Sequence, residues 1–527
     1  MFKMLGKDKI SKEEDKISSY WQDIDILKKS IDKGDKYFVF YDGPAFANGF
    51  PGLHHMVAKN LKDAFCKYYT MQGYKVLRKV GWDTHGLPIE NHVEKKLGIS
   101  SKKEIEEIGI EKFNLECRKS VRENEDAFTR LTKKMGQFID TDNPYLTYKN
   151  EYIETEWWIL KKFYEEGLFY EGTRVVPYCP HCGTGLASHE VAQGYKTVDV
   201  NTVYVPFKLK DKDEYFLVWT TTPWTLIANV ALCVNPDEDY VKVLSKGYKF
   251  ILAKALLNEV LDKDYEILET FKGKTLEYQE YEQLIPSLKV SKKAFYVTCD
   301  TYVTMEDGTG IVHIAPAFGE DDSKVAEKYD LPVLNPVGKD GKYTEGLWKG
   351  ISVFDVELDV IKYLKENDKL FKKQKMSHDY PHCWRCQTPL LYYSMPSYYI
   401  KVSSFKEELV EANSKVSWYP SYVGEKRFAN WLSNAKDWNI SRTRYWGSPI
   451  PYFKCSCGYN HMVGSIKELK ELSIDKIDDN FDLHKPYIDN VRLKCPKCGK
   501  EMKRILDVLD CWFDSGSMPF AQYHYPF

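Results

Sequence analysis

The sequence predicts an α/β protein in which a parallel sheet is interrupted by a β-rich segment. Residues 37–41 form an aromatic, β-branched run that ends in an Asp-Gly-Pro turn, apolar residues recur at helical spacing over 53–69, and 74–83 read as a second strand. This βαβ order implies a parallel sheet. From about residue 198 to 380 the chain changes to short strands separated by turn residues, and the mixed pattern returns after them. We therefore expect the β-rich segment to be an insertion.

The segments on either side complete this organisation. Residues 101–138 are charged and helix-periodic, which predicts a solvent-facing pair of helices, and 150–175 add another helix. The predicted division is an N-terminal arm with the first half of the sheet domain (1–197), the insertion (198–380), and a return to the sheet domain (381–527).

Composition limits the classes of function. The net charge of the 527 residues is −2, so a nucleic acid or other polyanion would need a local basic patch. No apolar run approaches the roughly 18–20 residues of a membrane span. The N-terminus lacks the apolar core of a signal peptide. We expect a cytoplasmic protein, a monomer, with no membrane partner.

Eight of the 13 cysteines fall into four close pairs, which predicts zinc rather than disulfides in a cytosolic chain. The simplest arrangement joins the third pair with the fourth, in a zinc-ribbon-like insertion at about 453–503, and the first with the second, at the two ends of the β-rich segment. Redox-active thiols are the alternative, but a redox motif would not occur four times. Two closed, structural Cys₄ sites follow. Their ligands are Cys179 and Cys182, Cys383 and Cys386, Cys455 and Cys457, and Cys495 and Cys498.

Seven collinear segments, running from about residue 17 to residue 527, together resemble the isoleucyl-tRNA synthetases, a family of class I aminoacyl-tRNA synthetases. They are FYDGPAFANGFPGLHH, GWDTHGLPIE, YCPHCGTGLASHEVAQGYK, WTTTPWTLIANVA, GTGIVHIAPAFGEDD, NWLSNAKDWNISRTRYWGSPIP and DVLDCWFDSGSMPFAQYHYPF. The resemblance implies a Rossmann-like catalytic domain, interrupted by an editing domain. It implies isoleucine, ATP with Mg²⁺, and tRNA(Ile) as substrates. It also implies an active site at the carboxyl ends of the parallel strands, beside a helix N-terminus.

The segment GLHH resembles the family's His-x-Gly-His signature, whose imidazoles stabilise charge on the triphosphate. Gly52 stands at the first histidine position, His54 at the glycine position, and only His55 matches a family histidine. The resemblance implies that His55 stabilises phosphate and that His54 replaces the missing imidazole from a shifted position. Surface polar residues are the alternative. A metal site is not expected, because adjacent side chains diverge on a helix.

The resemblance also implies an amino-acid and ATP site. Asp83 matches the position that binds the substrate ammonium, and Pro44 with its turn resembles the wall of the amino-acid pocket. Gly52 is assigned to the same substrate- and ATP-binding site. Trp512 and Asp514 are assigned only to the neighbourhood of the site.

The family's editing domain has a physical reason. Valine differs from isoleucine by one methylene, worth only about 1–3 kcal/mol in an apolar pocket, a limit for which the isoleucine enzymes are the standard example. By resemblance, Asp322 would bind the ammonium of valyl-tRNA, and His313 would form a pocket wall or orient water. Ile227 stands where the family usually has proline. The implied editing residues are Thr220, Thr221, Thr222, Asn229, His313 and Asp322.

The family's KMSKS signature and anticodon-binding domain are not found in this sequence, and KMS within 372–380 is read as coincidence. We therefore expect an incomplete catalytic domain with little ATP–pyrophosphate exchange, and deacylation of valyl-tRNA as the activity that survives. The alternatives are a valyl- or leucyl-type synthetase, an editing-only hydrolase, and a non-catalytic zinc-ribbon RNA-binding module.

Overall fold

A computed structural model describes residues 10–99, 101–261 and 265–527. The chain forms two compact units. The discontinuous unit comprises the chain up to Tyr170 together with Tyr398–Phe527, and the inserted unit comprises Glu171–Ser397. The β-rich segment 198–380 lies inside the inserted unit.

The first part of the discontinuous unit alternates helices with short strands. Its helices are α1 (Ile10–Asp23), α2 (Ile26–Asp32), α3 (Leu53–Met71), α4 (Leu87–Leu97), α5 (Lys102–Ile108), α6 (Ile110–Lys134) and α7 (Asn150–Glu165). Its strands are β1 (Lys36–Tyr37), β2 (Ala45–Phe46), β3 (Tyr74–Lys75), β4 (Lys79–Asp83) and β5 (Asp140–Leu146).

The predicted parallel pairing is confirmed, although the strands are shorter than expected. β1 pairs with β3 in parallel, and β4 pairs in parallel with both β2 and β5. Of the predicted strand 37–41, only Tyr37 lies in β1. The hydrogen bonds between β1 and β3 end with the bond from Phe38 N–H to Lys75 O, and Val39 is exposed. The predicted second strand, 74–83, is divided between β3 and β4.

Large apolar side chains hold α4 and α6 against β4. Gly81 in β4 is required there, because a Cβ atom would lie 1.7 Å from the Tyr145 ring. The core includes Trp82, Ile89, Val93, Phe113, Cys117, Val121, Phe128 and Trp446.

The inserted unit is mainly antiparallel sheet. Its strands are β6 (Phe169–Cys179) and β17 (Leu391–Ile400), which contain the unit boundaries, and β7 (Thr184–Gly185), β8 (Tyr195–Lys208), β9 (Tyr215–Thr220), β10 (Ala231–Val234), β11 (Asp239–Ser245), β12 (Tyr248–Ala253), β13 (Glu266–Lys272), β14 (Tyr296–Cys299), β15 (Ile311–Ile314) and β16 (Lys372–Pro381). Its helices are α8 (Ser188–Val191), α9 (Leu257–Val260), α10 (Glu320–Tyr329) and α11 (Glu357–Glu366). One sheet has the order β13-β11-β12-β9-β8-β16 and another β14-β10-β15. The KMS tripeptide lies within β16, in the middle of its pairing with β8.

The chain then returns to the discontinuous unit. Its helices there are α12 (Lys406–Ser414), α13 (Ala429–Ser433), α14 (Ile466–Leu472) and α15 (Cys511–Ala521). Its strands are β18 (Trp438–Asn439), β19 (Ser441–Arg442), β20 (Tyr452–Cys455), β21 (Asn460–Met462), β22 (Arg492–Lys494), β23 (Glu501–Arg504) and β24 (Val508–Leu509). Among the described residues, no helix is both long and apolar enough to cross a membrane.

Candidate functional site

Helix α3 begins at the double histidine, as the sequence predicts. Gly52 is the N-cap, and its backbone N–H donates to His55 Nδ1 at 3.0 Å. A Cβ atom on Gly52 would lie 3.0 Å from the His54 ring, so glycine at this position leaves room for the shifted histidine. The first backbone N–H groups and the dipole of this helix start favour an anion.

The two imidazoles lie together, and the expectation that they diverge is wrong. Their ring centroids are 3.9 Å apart, and the Phe128 ring meets the His55 ring edge-on at 4.9 Å. Burial, and after it the charges of His54 and Lys59, lower the pKa of His55. Because His55 Nδ1 accepts the Gly52 N–H, its neutral ring carries the proton on Nε2 and presents a donor there. In the described part of the chain, no cluster of potential metal ligands includes this pair.

Asp83 ends β4 and is 3 % exposed. Its Oδ2 accepts a hydrogen bond from Ser515 Oγ at 2.5 Å, whereas its Oδ1 has no hydrogen-bond partner within the described residues. Burial raises the pKa of Asp83 to about 7, against the lowering effect of the Ser515 hydroxyl. A buried carboxylate with one unsatisfied oxygen suits a cationic ligand.

Three elements meet around Asp83. β2 pairs with the end of β4, in the register Phe46↔Asp83, which places Pro44 at the start of the neighbouring strand. The Phe46 ring meets Trp512 of α15 edge-on at 5.9 Å. Residues from β2, β4 and α15 therefore line one place at the carboxyl ends of the parallel strands, where open α/β sheets bind ligands.

Two polar residues at this place were not predicted. Ser515 holds Asp83, and His85 Nδ1 lies 2.8 Å from Asp514 Oδ2. Both residues lie within motifs that resemble the family, and those motifs could have indicated them. A serine or a histidine alone does not mark a site.

In the inserted unit, threonines and a histidine form a hydrogen-bonded group. The Thr222 N–H donates to Thr220 Oγ1 at 3.1 Å, and Thr225 Oγ1 donates to Thr222 O at 2.8 Å. Thr225 Oγ1 also lies 3.0 Å from His313 Nε2. Thr225 was not predicted, although it lies within the quoted segment WTTTPWTLIANVA. Thr221 is half-buried beside this group.

His313 lies on β15 and is buried. Burial lowers its pKa to about 4, so the ring is neutral at pH 7. Its Nδ1 has no hydrogen-bond partner in the described part of the chain. A neutral imidazole with one open nitrogen is able to orient a water molecule.

The other two editing candidates have defined hydrogen bonds. Asn229 donates from Nδ2 to Ala231 O at 2.8 Å and accepts from the Tyr281 hydroxyl at 2.7 Å, so its amide is engaged within the protein. Asp322, in the first turn of α10, accepts from Ala315 N–H at 2.8 Å, and burial raises its pKa to about 6.

Ile227, which stands where the family usually has proline, is part of the core of the inserted unit. Ile227 lies in a short 3₁₀-helix, Pro223–Ala228, and is 1 % exposed. It therefore serves as a core residue of this turn.

The predicted grouping of the cysteines is confirmed. In the inserted unit, Cys386 Sγ lies 3.4 Å from Cys179 Sγ and 3.6 Å from Cys182 Sγ, and Cys182 Sγ lies 4.0 Å from Cys383 Sγ. Four thiolates at about 2.3 Å from a tetrahedral Zn²⁺ would be about 3.8 Å apart, so this group fits zinc.

The second group lies on the sheet β21-β20-β23-β22. The Sγ atoms of Cys455 and Cys498 are 3.5 Å apart, and those of Cys457 and Cys495 are 3.8 Å apart. Each half of the group is a tight knuckle that closes on a glycine with positive φ, Gly458 or Gly499. All four Sγ atoms in each group lie within 4.8 Å of one another.

Known proteins are similar to this chain over nearly all of its length. The chain is 52 % identical over 519 residues to the isoleucine–tRNA ligase of Clostridium novyi, covering 98 % of this chain and 50 % of that relative. The corresponding ligase of Clostridium acetobutylicum is 52 % identical over 512 residues, with 96 % and 49 % covered. The chain spans about half the length of these relatives.

The solved structure of an Agrobacterium radiobacter K84 LeuRS, in a ternary complex with tRNA and LeuAMS, aligns with 96 % of this chain and 59 % of the LeuRS chain. Its TM-score is 0.42 at 16 % sequence identity. The sequence profile of the class I tRNA synthetases for I, L, M and V, by contrast, matches residues 16–527. This chain belongs to the class I tRNA synthetases of the I, L, M and V group.

Proposed function

We propose that this chain carries the amino-acid activation site of an isoleucine–tRNA ligase. The observation that carries the proposal is Asp83, a buried carboxylate with one open oxygen at the carboxyl ends of the parallel strands. The relatives named isoleucine–tRNA ligase support isoleucine over valine or leucine as substrate.

In this reaction the carboxylate of isoleucine attacks the α-phosphorus of ATP, which is bound with Mg²⁺, and pyrophosphate leaves. The acyl group then passes from the adenylate to the terminal ribose of tRNA(Ile). Asp83 holds the ammonium group, and Pro44 and Phe46 wall the pocket. The His55 Nε2–H and the backbone N–H groups at the start of α3 donate to phosphate oxygens, where charge develops. His54 is exposed and adds a second imidazole at this helix start.

The two Cys₄ groups would hold structural zinc ions, which supply cross-links without an open coordination position. Their thiolates hold the knuckles together and take no part in acyl transfer.

The test is isoleucine-dependent ATP–pyrophosphate exchange. We expect little exchange from the 527-residue chain alone, and exchange from a chimera that joins it to the unmatched half of the Clostridium novyi relative. Asp83→Asn should lower exchange by the chimera at subsaturating isoleucine roughly 30-fold or more, whereas Asp142→Asn, at an exposed position, should leave it unchanged. Stronger exchange with valine or leucine would identify a different synthetase, and an inactive, folded chimera would refute the proposal.

We propose hydrolysis of valyl-tRNA(Ile) as a second activity, in the inserted unit. The hydrogen-bonded group of Thr220, Thr222, Thr225 and His313 favours it, because it offers hydroxyl donors beside a neutral imidazole with an open nitrogen. Asp322 would bind the substrate ammonium.

Deacylation of valyl-tRNA(Ile) by the 527-residue chain tests this activity. His313→Ala should slow deacylation at least tenfold, and His378→Ala, on β16, should leave it unchanged. Equal rates for both variants would remove His313 from the reaction, and no hydrolysis by the folded parent chain would exclude editing by this chain.

A further inference from the structure

A continuous chain of hydrogen bonds runs from the amino-acid site to the protein surface. Asp514 Oδ2 lies 2.8 Å from His85 Nδ1, and His85 Nε2 lies 2.9 Å from His484 Nε2. His484 Nδ1 lies 2.6 Å from Asp482 Oδ1, and the Arg118 guanidinium bonds Asp482 Oδ2 at 2.6 Å. All five residues belong to the discontinuous unit.

This chain is sealed along its length and open at one end. Asp514, His85 and His484 are each 1 % exposed. The Trp446 ring stacks on His484 at 4.7 Å and meets His85 edge-on at 5.2 Å. The Asp482 side chain is 25 % exposed, beside a small surface cavity that Arg118, Asp482 and His484 help to line. Water in this cavity therefore reaches the hydrogen-bonded chain at its Asp482 end, next to His484.

Two arrangements of protons satisfy the bonds from Asp514 to Asp482 with both imidazoles neutral, with the carboxylic proton on Asp482 in one and on Asp514 in the other. The second is the starting arrangement of the chain. Asp514 is protonated and donates to His85 Nδ1, His85 Nε2–H donates to His484 Nε2, and His484 Nδ1–H donates to the Asp482 carboxylate. A ring–ring contact through two Nε2 atoms requires one donor and one acceptor, so the two histidines must be opposite tautomers.

We propose that the hydrogen-bonded chain from Asp514 to Asp482 is a proton wire, through which the amino-acid site releases a proton when the substrate ammonium enters. The proposal rests on the proposed function, because it takes Asp83 and its neighbourhood as the ammonium site.

The proton count is balanced at every atom. The Asp514 proton moves to His85 Nδ1, the proton on His85 Nε2 moves to His484 Nε2, and the proton on His484 Nδ1 moves to Asp482, which passes it to water. Afterwards, the Asp514 carboxylate accepts from His85 Nδ1–H. His484 Nδ1 then accepts from Arg118 Nη2, which already lies 3.2 Å away. Neither histidine becomes a buried cation.

The charges around the wire favour the starting arrangement. Burial, and after it the charge of Asp83, raises the pKa of Asp514, whereas the His484 imidazole and Arg118 hold the pKa of Asp482 well below its usual range despite partial burial. Burial lowers the pKa of His85 to about 3 and that of His484 to about 4. An ammonium beside Asp83 would favour ionised Asp514 and reverse this preference. The titratable or charged groups facing Asp514 are Asp83, Tyr152, Glu156 and Asp510. Those facing the histidines are Glu90, Arg118 and Asp482.

Histidine tautomers provide a test that does not need isoleucine. In ¹⁵N-histidine-labelled protein, with signals assigned by single substitutions, we expect His85 as the Nε2–H form and His484 as the Nδ1–H form at pH 6. Both should switch when the pH is raised or when isoleucine is added. Identical tautomers, or imidazolium signals at pH 7, would overturn the wire.

Proton release provides the kinetic test. After isoleucine is mixed with the 527-residue chain in weakly buffered indicator solution, His484→Phe should slow proton release at least tenfold, because Phe stacks on Trp446 but carries no proton. His92→Phe, at an exposed position, is the control. Unchanged release in His484→Phe overturns the wire. Failure of the parent chain to bind isoleucine instead overturns the proposed function, and the pH-driven tautomer switch then decides the wire separately.

Discussion

At the scale of single residues, Asp83 carries a cost that a ligand would offset. A buried carboxylate oxygen without a partner is unfavourable by itself, and charged hydrogen bonds are worth about 1.5–3 kcal/mol when formed. Its one bond, from Ser515, leaves Oδ1 available. In the free protein, the buried Asp83 carboxylate is therefore destabilised by desolvation. A bound ammonium group offsets this unfavourable free energy.

Replacing Asp83 with Asn should separate binding from stability. Loss of the charged bond should weaken isoleucine binding by about 2–3 kcal/mol, roughly 30- to 150-fold. The folded protein should not be destabilised above pH 7, because the buried charge is gone. Calorimetric binding and urea unfolding measure the two effects. Unchanged affinity would remove Asp83 from the ammonium site.

The raised pKa of Asp83 also predicts a pH dependence. Its value in the folded protein is about 7, above the 3.8 of an exposed Asp, so the free protein binds a proton there that it must lose to bind an ammonium. Isoleucine affinity should therefore fall as the pH drops below 7, approaching tenfold per pH unit, and level off above it. In Asp83→Asn, the contribution of Asp83 to this dependence should disappear, and only the part due to proton release from Asp514 should remain.

At the scale of elements, a buried ion pair fastens the chain segment before β20 to helix α4. The Arg444 guanidinium bonds both Glu90 and Glu94, and Glu90 also accepts the backbone N–H groups of Tyr445 and Trp446 at 2.9 and 2.6 Å. Arg444 and both glutamates are buried. Since Trp446 seals the proposed proton wire, this pair also positions the wire.

Arg444→Met should destabilise the protein by about 3–5 kcal/mol, because it leaves two buried carboxylates without their cation. Arg427→Met, at an exposed position, should change the free energy of unfolding by less than about 0.5 kcal/mol. Urea unfolding followed by tryptophan fluorescence measures both. A loss below 1 kcal/mol for Arg444→Met would show that the pair contributes little.

The two cysteine groups differ in access to solvent. Cys457 and Cys498 are exposed, whereas three of the four thiols in the other group are buried. We expect the chain to bind two zinc ions and a chelator to remove them in two phases. The ion held by the group that contains Cys457 and Cys498 should leave first. Cys498→Ser should remove the fast phase and Cys179→Ser the slow one. A single phase with one zinc would refute the assignment.

The local sequence pattern predicted those features that depend on neighbouring residues or fixed spacings. It did not predict features that depend on contacts between residues far apart in the chain. The start of α3 and both cysteine groups follow from neighbouring residues or fixed spacings. The shortness of β1 depends on where its partner β3 ends, which the run 37–41 does not encode. The bond between His85 and Asp514 joins residues 429 positions apart, so no local pattern marks it.

At the scale of the whole molecule, each unit has a core of its own. The discontinuous unit is built around Trp82 and Phe113, and the inserted unit has a core that includes Val230 and Ile314. No residue is shared between these two clusters. Separate cores give each unit the means to unfold cooperatively by itself.

Scanning calorimetry of the whole chain should therefore show two transitions. Ile314→Ala should lower one of them, since deleting a fully buried isoleucine costs about 2–5 kcal/mol, and should leave the other in place. Ile89, in the discontinuous unit, is equally buried. Ile89→Ala should lower only the transition that Ile314→Ala leaves in place. Isoleucine should raise the transition that Ile89→Ala lowers, because a ligand stabilises the unit that binds it. A single transition shifted by both variants would show that the two units unfold as one.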